Sequence, residues 1–325
     1  MPEADWLYKA LRHFSLLDVG VGHWNEPLSR HSWWQVGGAA DYFVEPQSIS
    51  QVCTLRRSLK ELNLPYVVIG DGSNLLFDDQ GVRGVVVRIG RALSRFSIRE
   101  NWVDAEAGIF VPRLARNIGR AGLCGLEHII GIPGSLGGLV LMNGGSQRNG
   151  IGQHVQRIWC VNEQGTIEEY NHEQCQFAYR SSALQRRDVI IVRALLRCEN
   201  GNGKQIRREM LSNMRSRRSK FPIKQPNCGS VFVSDPSLYA TLGPPGKVIE
   251  QCGLKGVRLG GAQIAEQHAN FIVNIGHAKS ADILALIKHI RATVHRQTGF
   301  WLQAEVRYVS PDGRVRPAHE AIIEG

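Results

Sequence analysis

Tyr66-Val67-Val68-Ile69 is an apolar, largely β-branched run that breaks at once into Gly70-Asp71-Gly72-Ser73-Asn74, after which apolar character resumes at Leu75-Leu76. Such a run reads as a strand, and the glycine turn at its end constrains the chain more than any other stretch. Gly70 and Gly72 admit positive φ and a close approach of backbone to a ligand, while successive N–H groups and the Ser73 and Asn74 side chains suit an anion. The turn is not a P-loop, because it lacks the Lys-Ser/Thr ending. It is not a GxGxxG fingerprint either, because Leu75 stands where the third glycine belongs. A phosphate cradle and an ordinary strand-to-strand turn both fit this segment taken alone.

A second glycine-rich stretch lies downstream. Gly131-Ile132-Pro133-Gly134-Ser135-Leu136-Gly137-Gly138-Leu139-Val140-Leu141-Met142-Asn143-Gly144-Gly145 carries six glycines, one proline and no charged residue. That composition is costly in chain entropy for a merely structural loop. Two such loops point to a ligand lying along backbone, and a large cofactor with a diphosphate fits better than a small metabolite.

The rest of the chain supplies the setting. At 325 residues it can bury two or three cores, and its net charge of +10 favours acidic ligands: nucleic acid, a membrane surface or a nucleotide. The densest basic cluster, Arg215-Ser216-Arg217-Arg218-Ser219-Lys220, reads as a solvated helix end or a phosphate-steering patch. Seven cysteines form no CxxC pair and no zinc-ligand spacing, as expected of reduced thiols in a cytoplasmic protein, and no metal site is expected. No signal-peptide core opens the chain, and no segment reaches the roughly 18 apolar residues needed to span a bilayer.

In order, Glu26-Pro27-Leu28 marks a turn, and Val36 to Pro46 reads as a glycine turn and a strand stopped by proline. Val52, Leu55, Leu59 and Leu62 give a helix over 50–62, completing a β-α-β unit that ends in the Gly70 turn. Residues 85–89 predict a buried strand, and Phe110, Val111, Leu114, Ala115 and Ile118 a helix closed by Gly122. Strands are expected at 155–161, 166–170 and 189–197. Asn200-Gly201-Asn202-Gly203 is the best boundary signal. Beyond Pro222 the pattern is mixed α/β, with a strand over 269–274, a helix capped by Ser280 and closed by Gly299 with Ile283, Ile287, Ile290 and Val294 on one face, and a last strand over 301–309.

GDGSNLLFDDQGVRGVVVRIG, GLEHIIGIPGSLGGLVLMNGG, FAYRSS, CGSVF and AEVRYV, in this order between Pro27 and Val309, resemble the UDP-N-acetylenolpyruvoylglucosamine reductase family of flavoenzymes in bacterial peptidoglycan synthesis. The resemblance implies an α+β fold. A variable lead-in over 1–30 would precede a vanillyl-alcohol-oxidase-type FAD-binding domain of two α+β subdomains over 31–200. An α/β substrate-binding domain over 201–310 and a tail over 311–325 would complete the chain. It implies that NADPH reduces bound FAD and that the flavin then reduces UDP-N-acetylglucosamine enolpyruvate. The family's proton donor matches Ser230, its carboxylate-binding arginine Arg180, and the acid facing the intermediate Glu305. Without the family, these read as a serine in a glycine turn, a surface strand residue, and one half of an exposed ion pair with Arg307. Cofactor contacts are expected from Gly70, Gly72, Ser73, Asn74, Gly131, Pro133, Gly134, Ser135, Gly137, Gly138 and Asn143. Substrate contacts are expected from Tyr179 and from Arg217, Lys220 or Lys247.

The sequence also departs from its relatives. Val233-Ser234-Asp235-Pro236 replaces a frequent Lys-Asn-Pro, Gly145-Ser146-Gln147-Arg148-Asn149-Gly150 replaces a frequent Ala-Gly-Ala-Tyr-Gly, and Gln35 stands at an often basic position. There is no tyrosine-bearing loop insertion, so the chain resembles the shorter branch. The competing readings are another flavin oxidoreductase on the same fold and a flavin or nucleotide-sugar binding protein without turnover. A nucleic-acid binder rests on charge alone, with no recognisable module.

Overall fold

The computed structural model describes residues 2–147 and 149–322, so Arg148 of the departing loop and 323–325 of the tail lie outside the described residues. The chain forms two compact units, neither contiguous in sequence. The first comprises Met1–Trp24, Tyr42–Asp71 and Gly84–Ser216; the second comprises Asn25–Asp41, Gly72–Arg83 and Arg217–Gly325.

In the first unit, strand Tyr66–Ile69 pairs in parallel with Val82–Arg88, matching Tyr66 with Val85. That pair lies at one side of a sheet continued by Ala39–Glu45 and Val21–Pro27, so the strand over 82–88 stands between the two strands of the anticipated β-α-β unit. The crossover helix, Ile49–Glu61, begins at Ser48, whose side chain accepts from the Gln51 N–H. It buries Val52, Leu55 and Leu59. A five-stranded antiparallel sheet runs in the order Ile167–Asn171, Val155–Val161, Ile190–Arg197, Trp102–Glu106, Phe96–Arg99. Helix Val111–Arg120 buries Val111, Leu114, Ala115 and Ile118, and Gly122 leaves it at φ +79°. The lead-in is itself structured, with helix Pro2–Phe14 ahead of strand Val21–Pro27.

The second unit holds two three-stranded sheets. One orders Val315–Pro317, Arg307–Val309 and Leu75–Phe77, the last two parallel; the other orders Arg258–Leu259, Ala262–Ile264 and Ile272–Asn274. The long helix Ser280–Thr298 buries Ile283, Leu286, Ile287, Ile290 and Val294, each contributing about 1.5–3 kcal/mol relative to exposure. Gly299 closes it at φ +76°.

Several expectations change here. Ser280 is the first residue of its helix rather than the cap. Asp79 accepts from the Ser280 N–H at 2.8 Å, and the Ser280 hydroxyl accepts from the Asp79 N–H at 3.1 Å. The strand expected over 269–274 begins only at Ile272, because the Asn270 N–H donates to His268 Nδ1 and its carbonyl accepts from the Val231 N–H, leaving neither for a ladder. The strand expected over 301–309 shrinks to Arg307–Val309, and Val315–Pro317 pairs with it from the tail. The Asn200-Gly201-Asn202-Gly203 spacer starts helix Gly203–Lys220, with the Asn202 carboxamide accepting from the Lys204 and Gln205 N–H groups. The change of unit falls within that helix, after Ser216.

Candidate functional site

The first unit brings the two glycine loops together. A Cβ on Gly70 would lie 2.2 Å from the Ser135 hydroxyl, so that position excludes a side chain. Ser135 is buried and caps the short helix Leu136–Leu141, accepting from the Gly138 N–H. Gly134 has φ +136°; Gly131 and Pro133 are half-buried in the link before it. The Gly137 N–H donates to the Ala107 carbonyl at 2.8 Å, so its amide is spent within the fold, and Gly138 is exposed. Along the turn after Ile69, the consecutive amides of Asp71 and Gly72 have no intramolecular acceptor among the described residues. Free main-chain N–H groups beside small side chains suit the diphosphate of a dinucleotide, so the loops fit such a cofactor.

Asn143 does something different. Its Nδ2 donates to the Ala178 carbonyl at 2.8 Å and its Oδ1 accepts from the Gly152 N–H at 2.8 Å. The carboxamide is therefore a clamp on the turn that carries Tyr179 and Arg180. Ser182 and Gln185 brace the same turn by donating to the Leu141 carbonyl, and Gln185 also donates to the Arg180 carbonyl. Arg180 sits at φ +54°, a conformation that a non-glycine residue adopts at a cost of order 1–3 kcal/mol and that clusters at functional sites. Its guanidinium lies 5.3 Å from the centre of the Tyr179 ring and donates to the Gly145 carbonyl at 3.2 Å. Tyr179 is 53% exposed. These residues set a half-buried guanidinium beside an exposed ring on a turn, not on an edge of regular strand.

The second unit gathers Asn74, Ser230 and Glu305. The residues after Ser230 run antiparallel to the residues before and at Glu305: the Glu305 N–H donates to the Val231 carbonyl at 2.8 Å and the Val233 N–H to the Gln303 carbonyl at 2.9 Å. Ahead of Ser230, Gly229 at φ +81° donates to the Asn227 side chain at 2.9 Å. The Asn74 side chain donates to the Glu305 carbonyl at 3.2 Å, and the Asn74 carbonyl accepts from the Arg307 N–H at 3.0 Å. Asn74 thus holds the backbone bearing the candidate acid. Gly72, at φ +64°, would place a Cβ 1.8 Å from the His31 carbonyl; Ser73 is half-buried beside it. Glu305 and Arg307 are both half-buried rather than an exposed strand pair, and desolvation pulls the Arg307 guanidinium below its ordinary range.

Of the three candidate diphosphate cations, Lys220 and Lys247 are exposed, on Gly203–Lys220 and Pro245–Gln251. Arg217 is half-buried, with its guanidinium 5.0 Å from the centre of the Phe221 ring, and desolvation lowers its pKa. The departing Val233-Ser234-Asp235-Pro236 segment is a helix start. The Asp235 carboxylate accepts from the Ser237 and Leu238 N–H groups and opens Pro236–Thr241.

Two residues escaped sequence reasoning. Cys228, with its thiol pushed up to about 12 by burial, donates to the Gly72 and Leu75 carbonyls at 3.6 and 3.5 Å. Asn270 holds Phe232. Its position in a half-apolar run next to His268 and Phe271 gave no chemical signal. Among the described residues no cluster of His, Cys, Asp and Glu could hold a metal ion, and no helix is long and apolar enough to cross a membrane.

Known proteins resemble this arrangement along most of its length. Residues 221–309 match the family model described as UDP-N-acetylenolpyruvoylglucosamine reductase, C-terminal domain, and residues 40–171 match that of an FAD binding domain. UDP-N-acetylenolpyruvoylglucosamine reductase 1 of Corynebacterium glutamicum is 45% identical over 91% of this chain and 89% of its own. The Bacillus subtilis reductase is 36% identical over 93% of this chain and 98% of its own. The crystal structure of the reductase from Thermus caldophilus superposes with a TM-score of 0.73 at 30% identity, covering 89% of this chain and 98% of that one.

Proposed function

The chain belongs to the UDP-N-acetylenolpyruvoylglucosamine reductase family, and from that premise we propose that it reduces UDP-N-acetylglucosamine enolpyruvate to UDP-N-acetylmuramate in the bacterial cytoplasm, with FAD as cofactor and NADPH as hydride donor. The proposal assigns FAD to Gly70, Gly131, Pro133, Gly134, Ser135, Gly137 and Gly138, with Gly72 and Ser73 continuing the same turn, and the substrate to Ser230, Glu305, Arg180 and Tyr179. The observation that carries the reading is the antiparallel pairing of 231–233 with 303–305, which gives Ser230 and Glu305 neighbouring stretches of backbone.

FAD, held along the glycine loops at Gly70 and Gly134, would supply the hydride chemistry that links NADPH to the terminal enolpyruvyl carbon. That carbon becomes a methyl group, and negative charge appears on the adjacent carbon and its carboxylate. Arg180 binds both carboxylate oxygens with its planar fork and stabilises the enolate-like form. Ser230 donates its hydroxyl proton to the carbanionic carbon, and water returns a proton to the serine oxygen. The balance is one NADPH and one proton consumed per lactyl ether formed. A serine hydroxyl is a weak acid, so this transfer succeeds only against a strongly basic carbon in a dry site. Glu305, half-buried on the neighbouring stretch of backbone, is the acid that shares that proton. Tyr179 lines the carboxylate end, and the diphosphate of the substrate draws on Arg217, Lys220 or Lys247.

The test is an anaerobic visible spectrum recorded through two additions. The purified protein is yellow, bleaches with NADPH, and regains colour on adding UDP-N-acetylglucosamine enolpyruvate. Bleaching without recovery favours another flavin oxidoreductase or a binding protein without turnover. A colourless protein that takes up no added FAD overturns the reading.

A further inference from the structure

We infer that Asn270 is a positioning residue for the Ser230 hydroxyl, locking the backbone just beyond the serine into one register; the inference rests on Ser230 being the proton donor. Asn270 is 4% exposed, and its polar groups are committed to this stretch. Its Oδ1 accepts from the Phe232 N–H at 2.9 Å and its Nδ2 donates to the Phe232 carbonyl at 3.0 Å. Its own carbonyl accepts from the Val231 N–H at 2.9 Å. The side chain thus imitates a strand partner on one side of 231–232, where no strand exists. On the other side, Val231 and Val233 are paired with Glu305 and Gln303.

The two sides differ in kind. The 303–305 side is a backbone ladder that tolerates changes of side chain. The Asn270 side holds Phe232 by one carboxamide, with donor and acceptor both fixed, so a single substitution removes both bonds to Phe232 and leaves only the backbone bond to the Val231 N–H. The Asn270 N–H donates to His268 Nδ1 at 3.2 Å, which fixes the direction in which the residue enters. Ser230 is one residue from the first clamped amide and follows Gly229 at φ +81°, whose N–H donates to the Asn227 side chain. Displacement of a reacting group by about 1 Å costs on the order of a hundredfold in rate. Asn270 therefore acts on the proton-transfer half of the cycle and leaves the NADPH half alone.

The experiment separates the two half-reactions by anaerobic stopped flow in the FAD-loaded protein, for wild type, Asn270→Ala, Asn270→Asp, Ser230→Ala and the Asn270→Ala/Ser230→Ala double variant. The expected result is bleaching by NADPH within about twofold of wild type in all of them, and recovery of colour by the enolpyruvyl substrate slowed about tenfold or more in Asn270→Ala. The double variant should be no slower than Ser230→Ala, because a misplaced hydroxyl and an absent one are equally useless. Equal slowing of both half-reactions in Asn270→Ala, or costs that multiply in the double variant, would assign Asn270 to general stability and overturn the inference. A Ser230→Ala variant that recovers colour at the wild-type rate would instead remove the proton-donor reading. If Asn270→Ala does not fold, Asn270→Asp decides by the same criteria: it keeps the acceptor for the Phe232 N–H and loses the donor to the carbonyl.

Discussion

Replacing Asn143 by alanine separates two roles that sequence alone assigns to one residue. If the side chain clamps the Arg180 turn, its loss strands the buried Gly152 N–H, which costs about 1–3 kcal/mol. The exposed Ala178 carbonyl finds water and contributes under about 1 kcal/mol. Asn143 sits at φ +41°, where alanine adds about 1 kcal/mol that asparagine largely avoids. The total is about 2–5 kcal/mol, or a fall of roughly 3–8 °C in the Tm of the flavin-free protein. Asn143→Gly removes the same hydrogen bonds but relaxes the backbone, so it should be the milder of the two by about 1 kcal/mol. Thermal unfolding of both apoproteins, with FAD titration and steady-state kinetics, gives the answer. The expected pattern is a lowered Tm, a raised KM for the enolpyruvyl substrate as Arg180 loosens, and an FAD Kd within about threefold of wild type. An unchanged Tm with a tenfold weaker FAD affinity would refute the clamp and restore Asn143 to the cofactor contacts.

Other substitutions have expected outcomes of their own. Gly72→Ala must accept both left-handed backbone and a Cβ 1.8 Å from the His31 carbonyl, so it should cost more than the roughly 1–2 kcal/mol of the φ alone, read as a lowered Tm. Gly138→Ala meets only the Ser135 hydroxyl at 3.5 Å and should leave the apoprotein's Tm unchanged or slightly raised, while weakening FAD if the cofactor passes close by; a scan and a flavin titration separate these. Burial holds His128 below its ordinary value of 6.5, with His154 acting in the same direction. The unfolded chain then binds more protons between the lowered folded value and 6.5, so stability rises with pH across that window and is lost on acidification. The pH dependence of Tm in that window should flatten in His128→Asn and stay put if the imidazole is indifferent. Arg180→Lys trades a planar fork for a point charge and should raise the substrate KM about tenfold while leaving bleaching by NADPH intact, as measured by steady-state and stopped-flow rates.

Much of this was readable from spacing. The helix Ile49–Glu61 and the helix Ser280–Thr298 bury the residues that a 3.6-residue period selects, and Gly122 and Gly299 end their helices in left-handed geometry. The two glycine loops were legible as partners because glycine is needed where Gly70 meets Ser135. What stayed hidden is where polar side chains spend themselves. Asn74 and Asn143 are expected at the cofactor, and the sequence pattern gives no sign of the bonds their side chains make within the fold. Here one holds the Glu305 backbone and the other the Arg180 turn. The strands near Ile272 and Arg307 are short for a related reason: side chains take backbone groups that a ladder would use, His268 at the Asn270 N–H and His319 at the Ala304 N–H, and periodicity cannot register that substitution. Nor does hydrophobic pattern say which core a strand joins. Leu76 alternates like any buried residue, yet it packs with Val231, Ile272 and Val306 from the far end of the chain.

The discontinuity of the units bears on how this protein can be taken apart. Cutting near residue 217 would give a C-terminal piece whose strand Arg307–Val309 has lost Leu75–Phe77 along one edge, and whose Ile272 carbonyl has lost the buried Trp34 indole that donates to it at 2.7 Å. Such a fragment exposes an open sheet edge and an unfilled core position, the conditions under which chains pair with one another instead of folding. The second unit is thus not a cassette that can be exchanged between relatives by swapping a tail: a functional chimaera must carry the 25–41 and 72–83 segments along with everything after 217.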